Sequence, residues 1–179
     1  MSTRKFFAAR AGAFPMSELL DMASSLDIEL VATLNPAQLA SVSRVPGNVR
    51  VVDYLPLNQL LPTCSVIIHH GGGGTFAAAV AEKVPQLITP GMGADRVETA
   101  TYVADRGAGL LGPYLDGADF SVDLLKRQLG RLLDEPSFKD GAAELYDEMT
   151  ATPSPNDAVP ELERLTARHR SRPAVLSGT

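Results

Sequence analysis

Short apolar runs alternate with apolar residues at helical spacing along most of the chain. Residues 5–9 predict a weak first strand. Residues 16–25 predict an amphipathic helix, with Leu19, Leu20, Met22 and Ala23 at helical spacing and Ser17 as its candidate N-cap. A strand follows over 28–33. Asn35-Pro36 opens a short helix to about residue 41, Pro46-Gly47-Asn48 makes a turn, and 49–52 is again a strand. Residues 56–61 predict a short helix ended by Pro62. Ser65-Val66-Ile67-Ile68-His69 is the clearest strand, because its short β-branched run suits burial on both faces of a parallel sheet. A helix over 75–82, a strand over 86–89, a helix over 96–105 and a strand over 109–111 complete the alternation. Beyond Ser121 the spacing is wholly helical. Helices near 121–134, 136–150 and 157–169 are separated by Asp134-Glu135-Pro136 and Thr152-Pro153-Ser154-Pro155.

This order predicts an α/β fold: a Rossmann-like parallel sheet with helices on both faces, right-handed crossovers and a helical C-terminal segment. Residues 1–170 are expected to form one domain, and 171–179 a disordered tail. Ligands of such sheets bind outside the carboxyl ends of the strands. The strand over 65–69 runs into four consecutive glycines at that position.

Composition narrows the reading. The 179 residues suit one α/β domain, and 45% hydrophobic against 21% charged residues is a globular balance. A net charge of −5 argues against a broad phosphate-tracking surface, so nucleic acid is not an expected partner. The single cysteine, Cys64, builds no disulfide framework and reads as a small apolar core residue in a cytoplasmic protein. No run approaches the ~20 apolar residues of a membrane span. Arg4 and Lys5 are not followed by an apolar stretch, so no secretory leader is expected.

The chemistry concentrates at His69-His70-Gly71-Gly72-Gly73-Gly74-Thr75. Without Cβ atoms the backbone reaches positive φ and lets a ligand come close. A helix starting after it presents unpaired N–H groups and the positive end of its dipole, which together suit a diphosphate. Thr75 adds a hydroxyl and His70 a ring N–H or a positive charge. His69 reads as structural. On glycine count alone, a plain flexible turn with Thr75 as helix cap is equally good. The pattern is neither a P-loop, since no Lys follows, nor a clean dinucleotide fingerprint. Asp95 lies about twenty residues on, but after Pro90 and at a helix start. No His, Cys or carboxylate cluster has metal-ligand spacing.

Together with this turn, the stretch Asn48-Val-Arg-Val-Val-Asp-Tyr-Leu-Pro-Leu-Asn-Gln-Leu-Leu-Pro62, then Val84-Pro85-Gln86-Leu87 and Gly107-Ala-Gly109-Leu110, resembles the C-terminal domain of antibiotic glycosyltransferases of the B-type fold. These enzymes decorate macrolides, enediynes and related compounds with deoxysugars. The tail Ala151-Thr-Pro-Ser-Pro155, with Val159-Pro-Glu-Leu-Glu-Arg-Leu-Thr-Ala-Arg-His169, is similar as well. The resemblance spans about residues 26–170; residues 1–25 match poorly, and Ala9-Arg10-Ala11-Gly12-Ala13 stands where the family has a Gly/Ser/Thr-rich phosphate loop.

The resemblance implies donor binding by matched positions. His70, Gly72, Gly74 and Thr75, with Gly71 and Gly73 between them, surround the diphosphate. Tyr54 stacks on the nucleobase, with a half-buried core tyrosine as its alternative, and the backbone of Leu55 and Leu57 bonds the base edge. Asp95 takes sugar hydroxyls or caps the helix before Arg96. Arg96 replaces the family's usual Gln beside the sugar, and Glu98 is expected in solvent. No cofactor is implied; the donor is a thymidine- or uridine-linked sugar, with thymidine favoured by the resemblance alone.

The acceptor-binding domain and its catalytic histidine are implied outside this sequence, so no catalytic residue is assigned within it. His169 reads as a solvated surface residue. The chain is then the donor half of an inverting, metal-independent glycosyltransferase. The competing readings are a non-catalytic nucleotide-sugar-binding module or partner subunit of a full enzyme, and a different nucleotide-binding α/β protein such as an oxidoreductase. An exposed apolar face for the missing domain is expected, and with it a tendency to self-associate.

Overall fold

The computed structural model of the chain describes residues 4–8 (backbone only), 16–115 and 120–170. These residues fall into two compact units divided after Asp147.

The first unit is a six-stranded parallel sheet of order β3-β2-β1-β4-β5-β6. Its strands are β1 (Arg4–Ala8), β2 (Ile28–Thr33), β3 (Val49–Val52), β4 (Val66–His69), β5 (Gln86–Ile88) and β6 (Gly109–Leu111). The strand order runs outward in both directions from the β1–β4 pair, in register Phe6↔Val66 to Ala8↔Ile68. That pair is the switch point of a doubly wound sheet, where ligands bind at the carboxyl edge.

The helices are α1 (Met16–Ser24), α2 (Pro36–Ala40), α3 (Leu57–Leu60), α4 (Gly73–Ala81), α5 (Ala94–Asp105), α6 (Val122–Asp134), α7 (Ser137–Ala151) and α8 (Pro155–Arg170). Strand β4 is buried along its whole length. Val66 and Ile68 join a core with Leu19, Leu20, Leu125 and Leu129, while Ile67 joins Leu60, Leu61, Ala79 and Val84 on the other face. Alternation on a strand thus feeds two layers, as a parallel sheet requires. A third cluster, with Ile88, Val103 and Ala142, packs α5 and α7 beside β5.

Local chemistry fixes the junctions. Asn35 and Gln38 form a reciprocal capping box at α2, at 2.8 and 3.1 Å. The Asn48 amide donates to the carbonyls of Ala23 (2.8 Å) and Ile28 (3.0 Å), pinning the turn between α1 and β2. Ser121 caps α6 by accepting from Leu124 N at 3.2 Å. Cys64 is partly buried against the second cluster.

The α/β expectation is borne out, and several boundaries move. Ser17 lies inside α1, so it is not the N-cap. Pro62 does not end its helix; the chain continues through a 3₁₀ turn, Leu61–Thr63, whose first positions need no donor. The loop expected over 9–13 and the tail over 171–179 lie outside the described residues.

The second unit contains α8. Ser154 and Asp157 bond each other reciprocally at its start, with Pro155 at the first position. No residue of α8 is buried, and Val159, Leu162 and Leu165 are among its exposed side chains; His169 is exposed too. Among the described residues, no helix is long and apolar enough to cross a membrane.

Candidate functional site

The glycine run follows β4 at the carboxyl edge of the sheet. Gly71 turns the chain at φ +89°, and a Cβ there would stand 3.0 Å from the Arg96 carbonyl and 3.1 Å from its Cβ. Glycine is required twice over at this position, by conformation and by the close approach of α5. At Gly72 a Cβ would meet the His70 ring at 2.9 Å from Nε2. The half-buried His70 imidazole is therefore held against the backbone of the turn.

Helix α4 begins at Gly73, with Gly72 as an N-cap that offers no side-chain hydrogen bond. Its start lies two residues ahead of the expected Thr75. Thr75 is the third helical residue and not the cap. The first helical bond runs from Phe76 N to the Gly72 carbonyl at 3.0 Å. The N–H groups of Gly73, Gly74 and Thr75 precede it and lack intrahelical acceptors, as at any helix start. Gly73 and Gly74 are exposed, and a Cβ on either would touch no protein atom. The amides of the first turn and the positive end of the helix dipole thus lie at the carboxyl edge of the sheet, with Thr75 and the His70 ring in the same turn, and helix starts of this kind attract anions.

His69 is fully buried. Its Nε2 lies 2.9 Å from Gln86 Oε1, and its Nδ1 accepts from Gly71 N at 3.1 Å. Burial pushes its pKa down to about 4; the Gln86 hydrogen bond opposes that shift, and the neighbouring His70 adds to it. The structural reading of His69 agrees with this. Gln86, buried on β5, was no candidate in the sequence, since only strand pairing brings it to His69.

The loops after β3 and β5 supply the other candidates. Tyr54 is 81% exposed, which overturns the half-buried core alternative. Leu55 and Leu57 are partly buried against the cluster under α3. Helix α5 begins at Ala94, not Arg96, and its N-cap is Gly93 at φ +129°. Asp95 is therefore in the first turn rather than at the cap, where its carboxylate is still favoured by the helix dipole. Its Oδ1 lies 2.6 Å from where a Gly93 Cβ would be. Arg96 is half-buried and packed on Gly71, and Glu98 is exposed as expected. An apolar cavity of about 390 Å³ lies beside this loop, lined by Pro90, Met92, Val97 and Tyr114 among others. Among the described residues, no three His, Cys, Asp or Glu side chains are grouped to hold a metal ion.

Residues 17–165 match the family model described as "Erythromycin biosynthesis protein CIII-like, C-terminal domain". The chain belongs to this family. The match starts inside α1, ahead of residue 26, where the motif resemblance begins. The chain is 52% identical over 156 residues to aclacinomycin-T 2-deoxy-L-fucose transferase of Streptomyces galilaeus, covering 87% of this chain and 34% of the relative. It is 47% identical over 160 residues to aklavinone 7-beta-L-rhodosaminyltransferase of the same organism, covering 89% and 35%. Among solved structures, the glycosyltransferase VinC in complex with dTDP superimposes with a TM-score of 0.81 at 37% identity, covering 93% of this chain and 42% of that one. This member of the CIII-like family thus spans 34–35% of the length of those two curated relatives.

Proposed function

We propose that the turn from His70 to Thr75 binds the diphosphate of a thymidine-linked deoxysugar. In this reading the chain is the donor half of an inverting, metal-independent glycosyltransferase acting on a natural-product aglycone. The observation that carries the reading is the open N-terminus of α4 at the β1–β4 switch point, with the His70 ring held against it. The relative VinC, solved with dTDP, supports a thymidine nucleotide.

Each candidate has a role in this reading. The amides of Gly73, Gly74 and Thr75, with the Thr75 hydroxyl and His70, take the phosphate oxygens. Gly71 and Gly72 shape the approach. Tyr54, exposed beyond β3, stacks on the base, and the backbone of Leu55 and Leu57 bonds its edge. Asp95 accepts from sugar hydroxyls, and Arg96 lies beside the sugar. As the sugar leaves, charge develops on the diphosphate. Fixed amide dipoles and His70 neutralise it without reorganisation, a role that metal ions fill elsewhere. The acceptor domain and the base come from outside these residues, and the assembled enzyme works in the cytoplasm.

Calorimetry with thymidine diphosphate tests the proposal. The chain binds it, and His70→Ala and Thr75→Ala each weaken binding by about 1–3 kcal/mol, the scale of charge-assisted hydrogen bonds. Unchanged affinity in both variants would remove the glycine turn as the phosphate site.

A further inference from the structure

The fully buried imidazole of His69 has a protonation pattern that its neighbours dictate. Gly71 N–H can only donate, so Nδ1, at 3.1 Å, is the acceptor. The proton of the neutral ring is then on Nε2, which donates to Gln86 Oε1 at 2.9 Å. Both ring nitrogens are used once, and the Gln86 oxygen is used by the ring. A leucine at position 69 would fill a core equally well. Burying an imidazole and an amide instead is costly unless each satisfies the other.

What the pair holds is the first bend of the turn. Gly71, at φ +89°, directs its amide back onto the ring of its own strand. That bend closes over His70 and decides where the N-cap Gly72 goes next. The His69 carbonyl is fixed as well, accepting from Thr89 N at 2.9 Å just past the end of β5. The charged or titratable neighbours are His70, next in the chain, and Arg96, whose backbone lies against Gly71. We propose that His69 and Gln86 form a positioning pair for the anion site: Gln86 accepts the Nε2–H hydrogen bond and holds the His69 ring in place, and His69 fixes the glycine turn in its binding conformation. This rests on the reading that the turn holds a diphosphate.

The test compares thymidine diphosphate binding by the full chain and three variants, each checked for a cooperative melt. His69→Phe keeps the ring volume and loses the acceptor. His69→Asn returns an acceptor oxygen near the place of Nδ1. Gln86→Leu removes the partner of Nε2. Binding is expected to weaken by about tenfold in H69F and to return within about threefold of the parent in H69N, the range of one buried hydrogen bond. The chain has three histidines, so a long-range proton–nitrogen spectrum assigns them readily; His69 is expected as the neutral Nε2–H tautomer in the parent, with Nδ1 as acceptor.

Parental affinity in a folded H69F, or equal weakness in H69F and H69N, overturns the proposal. If H69F does not fold, Q86L decides: parental affinity overturns the pair, and weakened binding supports it. If H70A weakens binding while H69F does not, the positioning pair fails and the diphosphate site stands. If the parent does not bind thymidine diphosphate, the site reading fails and the pair fails with it.

Discussion

His69 couples stability to pH through a single buried side chain. Its ordinary pKa of 6.5 is pushed down to about 4, first by desolvation, with His70 adding and Gln86 opposing. The unfolded chain takes up the proton near the ordinary value, so between the two the unfolded state binds more protons. Stability therefore rises with pH through this window. The contribution is fully present above the unfolded value and is lost as pH falls toward the folded one, to a limit of about 3 kcal/mol. Urea unfolding of the parent and of His69→Asn, at neutral pH and near pH 5, checks this. The parent should lose more stability on acidification than the variant; equal losses would mean that His69 is not held neutral. Tyr54 was legible only as an aromatic at a strand end. Its 81% exposure, which separates a surface platform from a core residue, depends on what packs beside it.

At the scale of the element, α4 begins inside the glycine run, and α5 begins two residues ahead of its predicted start. Helix α4 opens on glycines and α5 follows a glycine N-cap, residues of poor helix propensity. Propensity is weak at a helix start, where no intrahelical donor is yet used. A prediction with two opposed signs follows for Gly74→Ala. The added methyl enters open space and replaces a poor helix former, so thermal stability should be unchanged or raise by up to about 1 kcal/mol. Under the proposed function the same methyl stands where a phosphate would approach the amides, so thymidine diphosphate affinity should fall by about tenfold, near one charge-assisted hydrogen bond. A melt and a titration on one sample check both. Affinity preserved in the stabilised variant would mean that no ligand comes near the backbone there.

The whole molecule belongs to a glycosyltransferase family, yet spans 34–35% of the length of the two curated relatives described above. Under the proposed function, donor binding and sugar transfer should separate experimentally. The chain alone should bind thymidine diphosphate and transfer no sugar. Mixing it with the amino-terminal portion of a relative should restore transfer to that relative's aglycone, read by chromatography of the product. Transfer by the chain alone would place a base among its own residues and overturn the division of labour.

The sequence by itself determined the strand and helix order and the position of the glycine turn, since hydrophobic periodicity and local glycine chemistry are written in neighbouring residues; the family was carried by the resemblance of its motifs. Val66-Ile67-Ile68 reads as a buried strand from its β-branched run, and the four glycines after it mark a turn that fits a close backbone approach as well as a plain flexible connection. The tertiary structure alone decided which residues hold that turn. Gln86 is seventeen residues from His69 in sequence and Arg96 twenty-five from Gly71; parallel pairing of β4 with β5, and the packing of α5, bring them within contact. A buried polar group must find its partner wherever the fold offers one, and no local pattern records where that will be.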